Sequence, residues 1–231
     1  MAAIQVLLWD IDGTLLDFVA AERVGIRKTF AKFHLGECTD EMLSVYDEIN
    51  NKYWQMLERK ECTKRETMVG RFREFFSLYG MDVDAEAFND EYQLRLPETI
   101  VFRPHAWETV NTLSQFYRQI CVTNGNLPVQ QKKLRDSGLD RVFDQIYISD
   151  EVGHEKPSPE FFTAVLDGAA CKPEEAMMIG DSLSSDMCGA LRMGIPSCWY
   201  NPEGKPVPNG YAIDYVIRDL TELIPILTER N

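Results

Sequence analysis

The strongest constraint on the fold of this chain is the regular alternation of strand and helix patterns after Pro97. Short apolar runs, which are typical of buried strands, are separated by amphipathic stretches of helical period. This alternation predicts a parallel sheet with helices on both faces. An apolar run at 4–9 predicts one more buried strand near the start of the chain. The later strands are predicted at 119–123, 145–148, 176–179, 197–200 and 215–217, and the helices at 106–117, 128–137, 159–169, 184–193 and from about 219.

The segment between the first strand and Pro97 has helical periodicity and no strand pattern. Its clearest helix carries apolar side chains at i, i+4, i+7 and i+11 from Met42, and a capping-box sequence at 63–66 opens another. Four helices are predicted, at about 18–34, 42–57, 64–79 and 84–96. We therefore predict an α/β protein. Its Rossmann-like, three-layer parallel-sheet core comprises residues 1–16 and 97–231, and a small all-helical cap, residues 17–96, is inserted after the first strand.

Composition and charge exclude several classes of protein. The 231 residues include 37 acidic and 24 basic side chains, and the net charge of −13 disfavours binding to nucleic acid. No apolar run approaches the ~20 residues of a membrane span, and the first ten residues lack the pattern of a signal peptide. Six cysteines without a C-x-x-C pair are typical of free thiols in a reducing compartment. We expect a cytoplasmic protein, monomeric or weakly homodimeric, without nucleic-acid or membrane partners.

Side chains that carry chemistry follow the ends of four predicted strands. Asp10 and Asp12 come directly after the first strand, and their carboxylates converge because side chains at i and i+2 of an extended backbone point the same way. The carboxyl ends of parallel strands meet at one edge of the sheet, where ligands bind. The other strands or their loops bring a hydroxyl, an amide, a lysine and two further carboxylates to this edge: Thr123, Asn124, Lys156, Asp181 and Asp186.

Four carboxylates near one point repel one another unless a cation lies between them. Mg²⁺ prefers oxygen ligands and keeps several waters, so it suits such a group. The Lys156 ammonium and the Thr123 hydroxyl then supply positive charge and a donor for an anion, and phosphate fits both. Each motif alone has an ordinary structural interpretation as a turn, a helix cap or a solvated lysine, whereas their order and spacing together predict a magnesium site beside a phosphate site.

In these motifs the chain resembles the haloacid dehalogenase superfamily of phosphohydrolases, over essentially its whole length. The matching motifs are DIDGT at 10–14, TNG at 123–125, KP at 156–157 and GDSLSSD at 180–186. The chain is also similar to the pyrimidine 5′-nucleotidase subgroup of that superfamily. That similarity lies at LDF (16–18), YW (53–54), GRF (70–72) and CWYN (198–201).

The resemblance implies a role for each motif residue. Asp10 is the nucleophile that forms an aspartyl-phosphate, and Asp12 is the general acid and then the base. Mg²⁺ is held by the carboxylates of Asp10 and Asp181 and by the backbone carbonyl of Asp12, while Asp186 supports the metal waters or the lysine from behind. The resemblance assigns phosphate binding to Thr123, Asn124 and Lys156.

The implied activity is Mg²⁺-dependent hydrolysis of a small-molecule phosphate monoester, with nucleoside 5′-monophosphates and a pyrimidine base as the first expectation. Sugar phosphates or phosphoglycolate are alternative substrates, and a phosphomutase is an alternative reaction. Phe18 and Trp54 are the candidates for contact with the substrate. The presence of Asp12 argues against a dehalogenase, because a halide leaves without a proton, and the pair Asp10 and Asp12 argues against a protein that only binds.

Overall fold

The computed structural model describes residues 3–228, and within them the chain divides into two compact units. One unit consists of the segments up to Phe18 and from Ile100 onward, and the other is Val19–Thr99. None of the helices in the described part of the chain has both the length and the hydropathy to cross a membrane. The two units are described separately below as the sheet unit and the helical unit.

The sheet unit is built on six parallel strands in the order β3-β2-β1-β4-β5-β6. The predicted α/β class and its parallel sheet are therefore confirmed, and β1 begins two residues later than predicted. The order reverses at β1, which creates a crevice beyond the carboxyl ends of β1 and β4. The strands are β1 (Val6–Trp9), β2 (Arg118–Thr123), β3 (Gln145–Ile148), β4 (Ala176–Gly180), β5 (Ser197–Tyr200) and β6 (Tyr215–Ile217).

Ten helices of the described chain surround the sheet or form the helical unit. They are α1 (Phe18–Lys32), α2 (Asp40–Glu58), α3 (Lys64–Leu78), α4 (Ala85–Arg95), α5 (Ala106–Leu113), α6 (Leu127–Ser137), α7 (Ser149–Val152), α8 (Pro159–Ala169), α9 (Cys188–Met193) and α10 (Leu223–Thr228). Short 3₁₀ turns lie at 96–98, 139–141, 173–175 and 220–222.

The core lies on both faces of the sheet, as the continuous apolar run of β1 requires. Leu7 and Trp9 pack in a cluster with Val110 of α5, whereas Val6 and Leu8 pack in the cluster on the opposite face. That second cluster includes the neighbouring aromatic pair of α8. Because alternate side chains of a strand point to opposite faces, a strand buried on both faces has no polar positions.

Three local predictions differ from the structure. The helix predicted to reach Tyr117 ends at Leu113, because tight turns bring the chain round to start β2 at Arg118. The short helix α7 was not predicted. The helix predicted from 184 begins as a π-helical turn, Leu183–Met187, in which the Met187 N–H donates to the Ser182 carbonyl at 3.0 Å.

The helical unit has a core of aromatic rings from α1 to α4. The Tyr46 and Phe72 rings stack with centroids 5.2 Å apart, and the capping box predicted at Thr63 is present, with Glu66 as its second member. A polar group lies inside this apolar core, and we call it the Glu22 cluster. Its members are Glu22, Asn50, Arg71 and Tyr92, all buried.

Candidate active site

Three carboxylates meet beyond the carboxyl ends of β1 and β4. One ligand oxygen from each of Asp10, Asp181 and Asp186 lies within 4.8 Å of the other two. The strand register explains the meeting, because Trp9 at the end of β1 pairs with Ile179, two residues before Asp181. The π-helical turn then brings Asp186 back, and its Oδ2 accepts a hydrogen bond from the Ser182 N–H at 3.1 Å.

Lys156 is the cation inside this group of carboxylates. Its ammonium donates to Asp10 Oδ1 at 2.7 Å, to Asp186 Oδ1 at 2.7 Å and to the Val122 carbonyl at 2.8 Å. The side chain is 1% exposed, so these three bonds account for the three donors of a lysine that water barely reaches. Two of the three hydrogen bonds of the Lys156 ammonium are therefore made to carboxylates of this group.

Burial and the neighbouring charges shift the pKa values of Asp10, Asp181 and Lys156. Burial raises the pKa of Asp10 well above its usual range, Lys156 opposes that rise, and the neighbouring Asp186 and Asp181 add to it. Burial and the Asp186 charge raise the pKa of Asp181 to about 6. The pKa of Lys156 is also raised, because the attraction of Asp10 and Asp186 outweighs the effect of its burial.

The donor chemistry of this group fits Mg²⁺. With all three carboxylates ionised, Lys156 leaves two negative charges in a buried space, which one divalent cation would balance. The Thr14 hydroxyl lies 3.1 Å from Asp10 Oδ2 and 3.1 Å from Asp181 Oδ1, so its single proton is shared between two acceptors. All of these ligand atoms are oxygens, which Mg²⁺ prefers.

Gly13 gives the loop after β1 the space that this arrangement needs. Its φ of +101° lies in the region that favours glycine, and a Cβ there would come within 2.4 Å of Asp181 Oδ2. A side chain at this position would therefore displace one of the three carboxylates. This lack of space explains why the DIDGT motif has a glycine at position 13.

Asp12 lies apart from the three carboxylates and has partners of its own. The Lys133 ammonium donates to Asp12 Oδ1 at 2.8 Å and to Oδ2 at 2.9 Å, and the Gln130 amide donates to Oδ2 at 2.9 Å. The side chain of Lys133 is 3% exposed. Neither Gln130 nor Lys133 was predicted as a site residue. The only sequence signal is their i, i+3 spacing on the helix that follows the TNG motif.

Thr123 and Asn124 also have defined partners. The Thr123 hydroxyl accepts from the Gln130 amide at 2.5 Å. The Asn124 side chain pairs with the backbone of Lys156, donating to its carbonyl at 2.9 Å and accepting from its N–H at 2.8 Å. The amide of Asn124 therefore holds the loop that carries Lys156, where the sequence predicted a direct phosphate contact. The Lys156–Pro157 peptide in that loop is cis.

The two candidates for substrate contact lie in different units. The Phe18 ring centroid is 4.9 Å from the Lys133 Nζ, so this ring lies beside the partner of Asp12. Trp54 is partly exposed on α2 of the helical unit. The indole N–H of Trp199, in β5, donates to the Asp181 backbone carbonyl at 2.8 Å. This bond anchors the backbone of Asp181, which carries one of the three carboxylates.

A parallel sheet that carries these four motifs at its strand ends defines the class of haloacid dehalogenase-like hydrolases. The profile of the Haloacid dehalogenase-like hydrolase family matches residues 7–200, and the chain belongs to this family. The family that the motifs predicted is thus confirmed, and the match covers strands β1 to β5 with the helical unit between them.

Individual proteins of the family are similar to this chain over most of its length. HAD-hydrolase YfnB of Bacillus subtilis (strain 168) is 34% identical over 232 residues, which cover 100% of this chain and 98% of YfnB. A solved structure of YfnB bound to magnesium matches with a TM-score of 0.93 at 34% identity, covering 98% of this chain and 99% of that one.

Two further relatives bear the name of the predicted subgroup. Pyrimidine 5′-nucleotidase PynA of Streptococcus pneumoniae (strain ATCC BAA-255 / R6) is 32% identical over 198 residues, covering 85% of this chain and 83% of PynA. Pyrimidine 5′-nucleotidase YjjG of Escherichia coli (strain K12) is 27% identical over 223 residues, covering 96% of each chain. The predicted resemblance to pyrimidine 5′-nucleotidases is confirmed by these two proteins.

Proposed function

We propose that this protein is a Mg²⁺-dependent phosphatase that hydrolyses phosphate monoesters, with a preference for pyrimidine nucleoside 5′-monophosphates. The observation that carries the proposal is the Asp10 carboxylate, which Lys156 holds at 2.7 Å beside the carboxylates of Asp181 and Asp186. The names of PynA and YjjG support the choice of nucleotides.

The reaction has two steps on Asp10. A carboxylate oxygen of Asp10 attacks phosphorus, a new P–O bond forms, and the bond from phosphorus to the ester oxygen breaks. Asp12 enters this step protonated and gives its proton to the departing alkoxide, which leaves it as the carboxylate that Lys133 and Gln130 contact. Water then attacks the aspartyl-phosphate and gives a proton to Asp12, the bond between Asp10 and phosphorus breaks, and inorganic phosphate leaves.

Other groups of the chain hold charge and orient the phosphoryl group. The Thr123 hydroxyl and the backbone N–H groups after Asp10 donate to phosphoryl oxygens, and the Lys156 charge stabilises both the nucleophile and the bound phosphate. Mg²⁺ would be held by the carboxylates of Asp10 and Asp181 and the backbone carbonyl of Asp12, with Asp186 behind them. When bound, it supplies positive charge to the phosphoryl oxygens.

The test is phosphate release from a panel of phosphorylated metabolites, measured with Mg²⁺ and with a chelator. We expect Mg²⁺-dependent release from UMP, dUMP and dTMP above other substrates. Release mainly from sugar phosphates or phosphoglycolate would keep the chemistry and overturn the substrate, and an isomerised sugar phosphate would indicate a mutase. No release from any substrate would overturn the proposal.

A substitution of Asp10 tests its role as the nucleophile. Asp10→Asn removes the attacking oxygen at nearly constant volume, so we expect turnover and the covalent phosphoenzyme, detected by mass spectrometry, to be lost. Asp82→Asn, at an exposed aspartate of the helical unit, is the control. Substantial turnover by Asp10→Asn would show that another group attacks phosphorus.

The cytoplasmic location and the monomeric or weakly dimeric state stay predictions, as does the absence of nucleic-acid and membrane partners.

A further inference from the structure

The side chain of Asp12 is held from one direction by two residues of α6. Lys133 contacts both of its carboxylate oxygens, at 2.8 and 2.9 Å, and Gln130 contacts one of them at 2.9 Å. The two residues are three positions apart, so they lie on the same face of the helix. Together they direct three hydrogen bonds onto one carboxylate that comes from a loop 118 and 121 residues away.

Burial separates Lys133 from an ordinary surface lysine. Its side chain is 3% exposed, whereas that of Asp12 is 19% exposed, so the ammonium lies deeper than the carboxylate it contacts. An ammonium withdrawn from water to this extent needs a strong partner, because desolvation of a charge is costly. The Phe18 ring, 4.9 Å from the Lys133 Nζ, covers it further.

The loop after β2 leaves room for the second member of the pair. A Cβ at Gly125 would come within 2.9 Å of Cγ of Gln130 and within 3.1 Å of its amide nitrogen. The same amide nitrogen contacts Thr123 Oγ1 at 2.5 Å, so Gln130 joins Asp12 to the end of β2. The Gln130 side chain therefore packs closely against Gly125 and is hydrogen-bonded to Thr123.

These two residues are distinct from the group around the nucleophile. The hydrogen bonds described for Lys156 reach Asp10, Asp186 and a backbone carbonyl, whereas those described for Lys133 reach Asp12 alone. Removing Lys133 would thus act on Asp12 without removing a direct contact of Asp10.

From these contacts we infer that Lys133 and Gln130 are positioning residues, which fix the orientation of the Asp12 carboxylate for proton exchange with the leaving group and with water. The inference rests on the proposed function, in which Asp12 is the acid and base. Its consequence depends on the leaving group. A nucleoside alkoxide needs the proton from a well-placed Asp12, whereas p-nitrophenolate leaves without one.

The test is Lys133→Met measured by first-turnover kinetics on dUMP and on p-nitrophenyl phosphate. A positioned acid contributes about 10²–10⁴-fold, so we expect phosphoenzyme formation from dUMP to slow at least about tenfold. The first-turnover release of p-nitrophenol should change by less than about threefold, and KM for dUMP should change little, because no group that holds the phosphate is removed. Lys133→Arg, which keeps a cation able to contact both carboxylate oxygens, should recover much of the dUMP rate.

Lys132→Met is the matched control, because Lys132 is the neighbouring residue on the exposed side of α6 and pairs with Asp136. It should leave both substrates unaffected. Gln130→Met removes the amide donors at similar volume, and it should slow dUMP as well, with a smaller loss on p-nitrophenyl phosphate that comes from the missing contact with Thr123. Thermal melting of each variant identifies any that does not fold, and the inference is then judged on the other position.

The outcomes separate the two claims. If the wild-type protein releases phosphate from no substrate, the proposed function fails. If the wild-type protein is active but Lys133→Met slows both substrates equally, or neither, the positioning inference fails and the proposed function stands. Failure of Lys133→Arg to exceed Lys133→Met in the dUMP rate would also overturn the inference, because a positioning cation should be replaceable by another.

Discussion

Glu22 provides the sharpest test of the electrostatics of this structure, because it is an acid buried inside an apolar core. It is 2% exposed, and its Oε1 accepts from the Tyr92 hydroxyl at 3.0 Å and from the Asn50 amide at 3.4 Å. Burial raises its pKa to about 7 from 4.5, against the attraction of Arg71. The perturbation is Glu22→Gln, which keeps the shape and removes the titration.

The sign of the pH dependence follows from the number of protons that Glu22 binds in the folded and in the unfolded chain. Below pH 4.5 the carboxyl is protonated in both the folded and the unfolded chain, and the stability it contributes is fully present. Between pH 4.5 and about 7 the unfolded carboxyl loses its proton while the folded one keeps it, so the free energy of unfolding falls as pH rises. Above about pH 7 both forms are ionised and the loss is complete.

The magnitude follows from the same two pKa values. The difference between about 7 and 4.5, at about 1.4 kcal/mol for each pKa unit, corresponds to about 3–4 kcal/mol over the whole titration, most of which lies between pH 4.5 and pH 8. The glutamine variant has no such loss. We therefore predict that, between pH 4.5 and pH 8, the free energy of unfolding of Glu22→Gln rises by about 3 kcal/mol relative to that of the wild-type protein.

Urea denaturation followed by circular dichroism at the two pH values measures this change. Comparing two proteins at each pH cancels the titration of every other group that Glu22 does not influence. Glu48→Gln, at an exposed glutamate of the same unit, is the control and should show no such dependence. The reasoning would be refuted if the difference in free energy of unfolding between Glu22→Gln and wild type were equal at the two pH values. It would also be refuted if that difference shifted in favour of the wild-type protein as pH rises.

Two further predictions concern packing around the site. Gly125→Ala places a Cβ 2.9 Å from Gln130 Cγ, so it should destabilise the protein by about 1–3 kcal/mol, and unchanged urea denaturation would show that the side chain moves aside freely. Trp199→Phe removes the N–H that holds the Asp181 carbonyl at 2.8 Å, so calorimetry should find Mg²⁺ affinity reduced by about 10–100-fold. Unaltered affinity would mean that the strand alone positions Asp181.

The sheet could be predicted from sequence because its signals are local. A strand buried on both faces must be apolar at every position, and the four residues of β1 meet this requirement without a polar interruption. The capping box at Thr63 is equally local, since both of its hydrogen bonds lie within four residues. The end of α5 was predicted less well, because apolar periodicity continues past Leu113 while the backbone turns into β2.

The motif residues of the site could also be predicted, but their partners could not. Asp10 and Asp181 follow strands whose order brings their ends together, so topology alone places them at one edge. Lys133 gives no comparable signal, because an isolated lysine in a helix is usually solvated. Its burial depends on the packing of α6 against a loop 121 residues earlier in the chain. Trp199 is similar, since an indole at a strand end fits the core whether or not its N–H has a partner.

The two buried lysines divide the four aspartates into groups with different chemistry. Lys156 contacts Asp10 and Asp186, and two negative charges remain for a divalent cation to balance. Asp12 follows Asp10 by two residues, and an unpaired carboxylate there would be a fourth competitor for the same cation. Lys133 forms an ion pair with that carboxylate at 2.8 Å. Under the proposed function, the backbone carbonyl of Asp12 would be left for the metal and its side chain for the leaving group. A chain with a net charge of −13 thus pairs Asp10 and Asp12, the proposed nucleophile and acid, with two different buried lysines.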